Sequence, residues 1–264
     1  MEFSTIIPTF RRPDELREAI GSVLGQTGVA LEVFVIDDSP EGSAEVVVRA
    51  FGDARLNYRR NPTPSGGRPA IVRNLAWPDA RGAFVHFLDD DDIVPSGHYA
   101  AVKAVFAAMP DVAVVFGAIT PFGSEGKQLA QERAFFARAV RRATRFRGLG
   151  NRWLFTACML FQETLLVCGA GIMRRDCVAA IQGFDPTLPL MEDVDFYARA
   201  IRRFGAHFID RVSLHYRIGP SLMRASHQAA VDESYRRMHA RYRSEHGALE
   251  FNAIRILARL LRGL

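Results

Sequence analysis

Four consecutive carboxylates, Asp89, Asp90, Asp91 and Asp92, are the residues of this 264-residue chain whose type and spacing most plainly invite chemistry. Adjacent like charges repel, and holding them at the end of an apolar segment costs free energy unless a cation or hydrogen-bond donors compensate. A divalent metal is the simplest compensation. Magnesium or manganese takes one or two protein carboxylates and completes its shell with water and substrate phosphates, so the run suits a diphosphate ligand. A bare run would suit a solvated turn in which an aspartate caps the next helix equally well, but the strand-like segment before it favours the metal. Other polar groups follow apolar runs in the same way: Thr9 and Arg11 come after Phe3 to Pro8, and Asp37 and Asp38 after Leu31 to Ile36. Asp37 is of a type that often caps a turn. Glu192 and Asp193 open a segment of helical period, where acidic side chains complement the helix dipole whatever else they do.

The elements that must position these groups are legible from periodicity. Short apolar runs alternate with helix-period segments, the pattern of βα units feeding a mostly parallel sheet. Strands are predicted at Phe3 to Pro8, Leu31 to Ile36, Leu56 to Arg59 and Ala83 to Leu88, the last ending in the four aspartates. Between them stand a helix that starts at Pro13, with Leu16, Ile20, Val23 and Leu24 on one face, and a helix capped by Ser43 that runs through Phe51. The Pro/Gly-rich stretch Asn61 to Pro69, containing Arg68, is a loop that leads into a helix bearing Arg73 and Asn74. A helix from Ser96 to Met109 and a strand from Val112 to Ile119 follow. Ser124 to Arg152 has weak periodicity and frequent arginine, and reads as a mobile or acceptor-specific insertion rather than sheet. The pattern resumes with a strand at Val167 to Met173, a helix at Glu192 to Phe204 and one or two strands over His207 to Arg217. Ligands of open α/β sheets bind beyond the carboxyl ends of the strands, so Thr9, Arg11, Asp37, Asp38 and the aspartate run should share one crevice.

Composition narrows the function class. Residues 1–132 carry 12 basic and 18 acidic side chains, whereas residues 133–264 carry 22 and 11, so the cationic surface lies late in the chain. A basic half suits nucleic acid, an anionic membrane or a phosphorylated substrate, and no nucleic-acid motif supports the first. Cys158, Cys168 and Cys177 have neither zinc-site spacing nor an even count, which points to a reducing, cytoplasmic compartment. The chain starts directly in a strand-like run without the features of a secretory signal. Gln162 and Glu163 interrupt the apolar stretch Trp153 to Met173, leaving it short of a membrane span. Near the end, Leu249, Ala253, Ile256, Leu257, Leu260 and Leu264 recur at helical spacing beside Arg255, Arg259 and Arg262. This amphipathic cationic helix suits the inner face of a membrane, a second subunit in a homodimer, or the chain's own catalytic domain.

Six segments, "STIIPTFRRPDELREAIGSVLGQ", "EVFVIDDSPEG", "RPAIVRNLA", "FVHFLDDDDIV", "GAGIMRRDCVAAIQGFD" and "MEDVDFYARAIRRFG", together resemble family 2 glycosyltransferases of the GT-A fold, in the family's order over most of residues 3 to 217. The resemblance implies an α/β GT-A domain over residues 1–220, its nucleotide-binding part to about 120 and its acceptor side from about 121, followed by a helical extension over 221–264. It implies that Asp38 accepts from a uracil-type base, that Pro8, Thr9 and Arg11 line the same pocket, and that Arg68 and Arg73 lie near base or phosphate. Asp89 and Asp91 match the D-x-D motif, with Asp92 adjacent; they would hold Mn2+ or Mg2+ on the diphosphate, with Asp89 and Asp90 on the nucleotide side. Asp193 would be the general base that takes the acceptor proton, positioned by Glu192. "HYRIGPSLMR" resembles the segment that closes over the diphosphate, but Gly219 stands where relatives often have histidine, so His215 or Arg217 would serve there. The implied reaction is a single displacement with inversion, from a nucleotide sugar such as a UDP-sugar to a hydroxyl of a glycan or lipid-linked acceptor. A sugar-phosphate nucleotidyltransferase is the first rival, although its Gly-rich signature after the first strand is replaced by "PTFRRP". A non-catalytic nucleotide-sugar-binding protein of the same fold is the second.

Overall fold

The computed structural model describes residues 1–123, 126–147, 151–219 and 228–263. Its centre is a seven-stranded sheet in the order β3-β2-β1-β4-β6-β5-β7, formed by β1 (Phe3–Thr9), β2 (Leu31–Asp37), β3 (Leu56–Arg60), β4 (Phe84–Phe87), β5 (Val114–Phe122), β6 (Gly171–Arg174) and β7 (Ala206–Arg217). β1 pairs in parallel with β2 and β4, β2 with β3, and β5 with β7; β6 alone runs antiparallel, between β4 and β5. The mostly parallel sheet expected from the alternating pattern is therefore present. All seven residues of β2 are buried, as a strand covered on both faces requires. Each large apolar side chain of β1, such as Ile6 or Ile7, contributes about 2 kcal/mol by leaving water.

Helices cover the sheet: α1 (Pro13–Leu24), α2 (Glu45–Phe51), α3 (Pro69–Asn74), α4 (His98–Ala108), α5 (Lys127–Phe146), α6 (Asn151–Phe161), α7 (Arg175–Ala180), α8 (Glu192–Phe204) and α9 (Gln228–Leu260). Leu16, Ala19, Ile20 and Val23 form the buried face of α1, which begins with Pro13 in its first turn. The cap of α2 differs from the expected Ser43. Asp37 Oδ2 accepts from Ala44 N at 2.8 Å while its Oδ1 accepts from Ser39, so the capping carboxylate comes from the end of β2.

Two glycines mark close approaches. A Cβ on Gly82 would lie 2.5 Å from Ser4 N, and one on Gly171 would lie 2.7 Å from the Tyr197 ring, whose hydroxyl donates to the carbonyls of Cys168 and Gly171. Beneath the site a buried polar network joins Thr5, Tyr99 and His86. The Tyr99 hydroxyl lies 2.7 Å from both Thr5 Oγ1 and His86 Nδ1, and His86 Nε2 donates to the Gly169 carbonyl at 2.8 Å. Burial lowers the His86 pKa to about 4, so the ring is neutral.

Three further expectations change. The stretch read as an insertion is largely α5, ordered by a buried stripe of Phe136, Ala139, Ala143 and Phe146; small alanines in that stripe hide its period. Residues 124–125 and 148–150 of the stretch lie outside the described residues. The sixth strand starts at Gly171 instead of Val167, because Cys168–Ala170 forms a 3-10 turn. The C-terminal helix, kinked at Gly247 (φ 82°), packs on the domain through Met238, Tyr242, Ile254, Ala258 and Leu261, a face that takes in only Leu257 of the expected stripe among the described residues. Leu264 of that stripe lies outside the described residues. Among the described residues no helix is long and apolar enough to cross a membrane.

Candidate functional site

Strand register brings the candidate residues together. Thr9 at the end of β1 pairs with Asp37 at the end of β2, and Ile6 pairs with Phe87 at the end of β4. The chain leaving β4 therefore rises past the end of β1, where Thr9 Oγ1 donates to Asp90 Oδ2 at 2.7 Å. The far side of the run is held by β7: Ile93 and His215 exchange backbone hydrogen bonds, Arg217 N donates to Asp92 Oδ1 at 2.9 Å, and Arg217 Nε donates to the Asp91 carbonyl at 2.8 Å.

The four aspartates divide into two classes. The side chains of Asp89 and Asp91 are 32% and 25% exposed, whereas Asp90 is 8% exposed and Asp92 is fully buried. Burial pushes the Asp90 carboxyl up to about 7, against the pull of Thr9 and Arg12. Burial and then the neighbouring Asp89 raise Asp91 and, further, Asp92. Asp92 Oδ2 is buried without a hydrogen-bond partner. The first and third carboxylates of the run are thus partly open to solvent, and the second and fourth are enclosed.

Guanidinium groups surround the run. Arg12 Nη1 contacts Asp91 Oδ2 at 2.6 Å and Asp90 Oδ1 at 3.2 Å. Arg12, which was not expected at the site, faces the aspartates, whereas the expected Arg11 adopts a left-handed backbone (φ 57°) and its side chain turns outward to Glu41 at 2.7 Å. The doubled arginine in "FRRP" was the available signal; the backbone reversal that chooses between the two was not. Arg73 is 2% exposed and bridges two clusters, with Nη2 2.5 Å from Asp89 Oδ1 and Nη1 2.9 Å from Glu192 Oε1. Its guanidinium also lies over the Phe184 ring at 5.2 Å, and Phe184 stacks on Phe196 of α8. Despite burial, the carboxylates of Asp89 and Glu192 keep Arg73 firmly charged. The aspartate run and the start of α8 are thus tied through one buried cation.

Glu192 and Asp193 open α8 after Met191, whose positive φ of 59° turns the chain sharply into the helix. Burial and the like charge of Glu192 push Asp193 up to about 7 while Arg73 pulls it down; Asp193 itself still reaches solvent. Its Oδ1 accepts from Val194 N at 2.8 Å. The third acid of this turn, Asp195, is structural: it is buried and paired with Arg199 and Arg241, joining α8 to α9.

Asp38 is 1% exposed and accepts four hydrogen bonds, all from the Pro/Gly-rich loop: Asn61 Nδ2, Ser65 N, Ser65 Oγ and Gly67 N, at 2.6 to 2.9 Å. Those donors hold its carboxyl below the usual range although burial acts the other way. Asn61, Ser65 and Gly67 were not singled out from the sequence. Pro8 lies in β1 opposite Ile36. Arg68 donates to the Pro186 carbonyl at 2.8 Å, so the loop reaches toward the α8 side. The His215 ring faces Phe122 edge-on at 6.5 Å between centroids, and residues 220–224 of the segment expected to close over a diphosphate lie outside the described residues.

Among the described residues no three or more His, Cys, Asp or Glu side chains converge as a metal-holding group. Asp92 Oδ2 has no partner, but Asp89 and Asp91 are paired with Arg73 and Arg12, so a cation here would share those carboxylates with two guanidinium groups and draw most of its shell from water and a diphosphate.

The chain resembles known proteins. Over 98 residues it is 38% identical to the GalNAc(5)-diNAcBac-PP-undecaprenol beta-1,3-glucosyltransferase of Campylobacter jejuni, a match covering 36% of this chain and 31% of that protein. Over 90 residues it is 36% identical to the UDP-Glc:alpha-D-GlcNAc-diphosphoundecaprenol beta-1,3-glucosyltransferase of Escherichia coli, covering 34% of this chain and 35% of that one. These matches span only about a third of either relative. The crystal structure of S. aureus TarS 1-349 shares the fold with a TM-score of 0.69 at 18% identity, covering 98% of this chain and 72% of that one. The same protein in complex with UDP-GlcNAc gives 0.67 at 19% identity, covering 92% and 67%. The family model for glycosyl transferase family 2 matches residues 4–175, which hold β1 to β6 with the aspartate run, and the chain belongs to that family.

Proposed function

We propose that the chain is an inverting glycosyltransferase that moves a sugar from a nucleoside diphosphate sugar, a UDP-sugar by preference, to a hydroxyl of a glycan or lipid-linked acceptor. The observation that carries this reading is the open-and-buried alternation of Asp89 to Asp92, tied by Arg73 to Glu192 beside Asp193. It sets two partly exposed carboxylates, each paired with an arginine, on one side of the Arg73 guanidinium and the Glu192–Asp193 pair on the other. Two relatives are named for undecaprenol-linked substrates, and a neighbouring structure holds UDP-GlcNAc, which favours this donor and acceptor class.

Residues 1–120 would hold the nucleotide and 121–220 the acceptor, with 221–264 as the extension. The loop 61–67, pinned by Asp38, would form the base pocket with Pro8, Thr9 and Arg11; Arg68 would stand at its rim. Asp89 and Asp91 would hold Mn2+ or Mg2+ against the diphosphate, with Asp92 behind them and Asp90 toward the nucleotide. A bound cation supplies charge stabilisation for the departing nucleoside diphosphate. Asp193, raised toward neutral pH, takes the acceptor hydroxyl proton as that oxygen attacks the anomeric carbon; Glu192 and Arg73 fix its position. Arg217 and His215 would face the diphosphate from β7.

A thermal-shift series with UDP, GDP and dTDP, each with and without Mn2+, tests the donor class. A ligand at 100 times its Kd stabilises by about 2.7 kcal/mol. For a chain of this size that corresponds to roughly 5–10 °C. No shift with any nucleotide would leave the proposal without support.

A further inference from the structure

The C-terminal part of α9 has two apolar faces, and only one is used. Ile254, Ala258 and Leu261 are buried against the domain, where Phe251 packs on Phe161 at 5.4 Å. A quarter-turn or more away, Leu249, Ala253, Ile256 and Leu260 recur at spacings of four, three and four, which is one continuous helical stripe. Its large members are 90%, 53% and 71% exposed. Arg255, Arg259 and Arg262 are exposed along one flank, and residues 251–264 contain no acidic side chain. Exposed Trp153 of α6 stands near the start of the stripe: the Arg202 guanidinium lies 4.2 Å over its ring and pairs with Glu250 at 2.7 Å, the residue after Leu249.

We propose that this stripe, with its arginine flank and Trp153, is a docking surface for an anionic lipid bilayer, on which the helix lies in the interfacial plane. An apolar stripe bordered by cations complements acyl chains below negative headgroups, and tryptophan favours the same interface. A second copy of the chain is a poorer occupant, because pairing the stripe with itself brings three arginines from each copy together without an acid between them. The inference deepens the reading of a lipid-linked acceptor and rests on it for its purpose. Its test needs neither donor nor acceptor, so either can fail alone.

Co-sedimentation of the full chain with vesicles provides the test. Binding is expected to vesicles containing phosphatidylglycerol and to be lost on pure phosphatidylcholine. Changing Arg255, Arg259 and Arg262 together to Gln should weaken partitioning on the order of 100-fold at low salt. The triple variant Leu249→Ser, Ile256→Ser, Leu260→Ser, at exposed positions, should bind at least tenfold more weakly while keeping the parent's melting temperature. Equal binding to both vesicle types, or full binding by the serine variant, would overturn the proposal. So would a concentration-dependent dimer in light scattering that the serine variant abolishes, since the stripe would then be occupied by a second copy.

Discussion

Replacing Arg73 with methionine removes the cation shared by Asp89 and Glu192 while keeping much of the side-chain volume against Phe184. Losing one partner of a buried ion pair costs about 3–5 kcal/mol, because the other charge is left uncompensated. Here Glu192 is largely enclosed but Asp89 is about one-third exposed and regains water, so the lower end, about 3 kcal/mol, is expected. That is a large part of a typical folding free energy of about 5–15 kcal/mol. Urea unfolding followed by circular dichroism measures it. Arg73→Lys keeps the charge but not the forked geometry and should lose roughly half as much. Combining Arg73→Met with Asp89→Asn and Glu192→Gln removes the stranded charges and should recover part of the loss. A methionine variant within about 0.5 kcal/mol of the parent, the usual range for inert surface changes, would refute the idea that this guanidinium holds the two clusters together.

Further outcomes follow from the same geometry. Asp38→Asn turns an acceptor of four hydrogen bonds into a group that meets donors with a donor; about 2 kcal/mol of stability and roughly tenfold in UDP affinity should be lost, read by urea unfolding and calorimetry. Gly171→Ala drives a methyl into the Tyr197 ring and should destabilise by about 1–3 kcal/mol in the same unfolding assay, with unchanged stability contradicting the contact. The rate constant kcat/KM should fall with unit slope as pH drops below about 7, because a base with a raised pKa is active only above it. Arg73 holds Asp193 down, so Arg73→Met should move that acid limb to higher pH; a limb that stays put would dissociate Arg73 from the base.

Local pattern carried the sequence reading far wherever chemistry and periodicity coincide. β1, β2 and β4 are apolar runs that stop at polar residues, and α8 was bounded at Glu192 and Phe204 because acids, an apolar face and Gly205 agree there. Long-range contacts were not legible. The resemblance places Arg73 near base or phosphate, and only the fold shows that it is enclosed between carboxylates 16 and 119 positions away. Arg12 and Arg11 are equivalent in sequence; one left-handed residue decides which faces the aspartates. On α9 the most regular apolar stripe is the exposed one, since periodicity reports that a face is apolar and not what covers it.

Turnover by Asp193→Asn tests the central claim most directly. Parent and variant are compared for UDP binding and for release of UDP from a UDP-sugar in the presence of an undecaprenyl-diphosphate-linked glycan. The variant should bind UDP like the parent but transfer on the order of 100-fold to 10,000-fold more slowly, the usual contribution of a positioned base. Parent-like turnover in Asp193→Asn would contradict it.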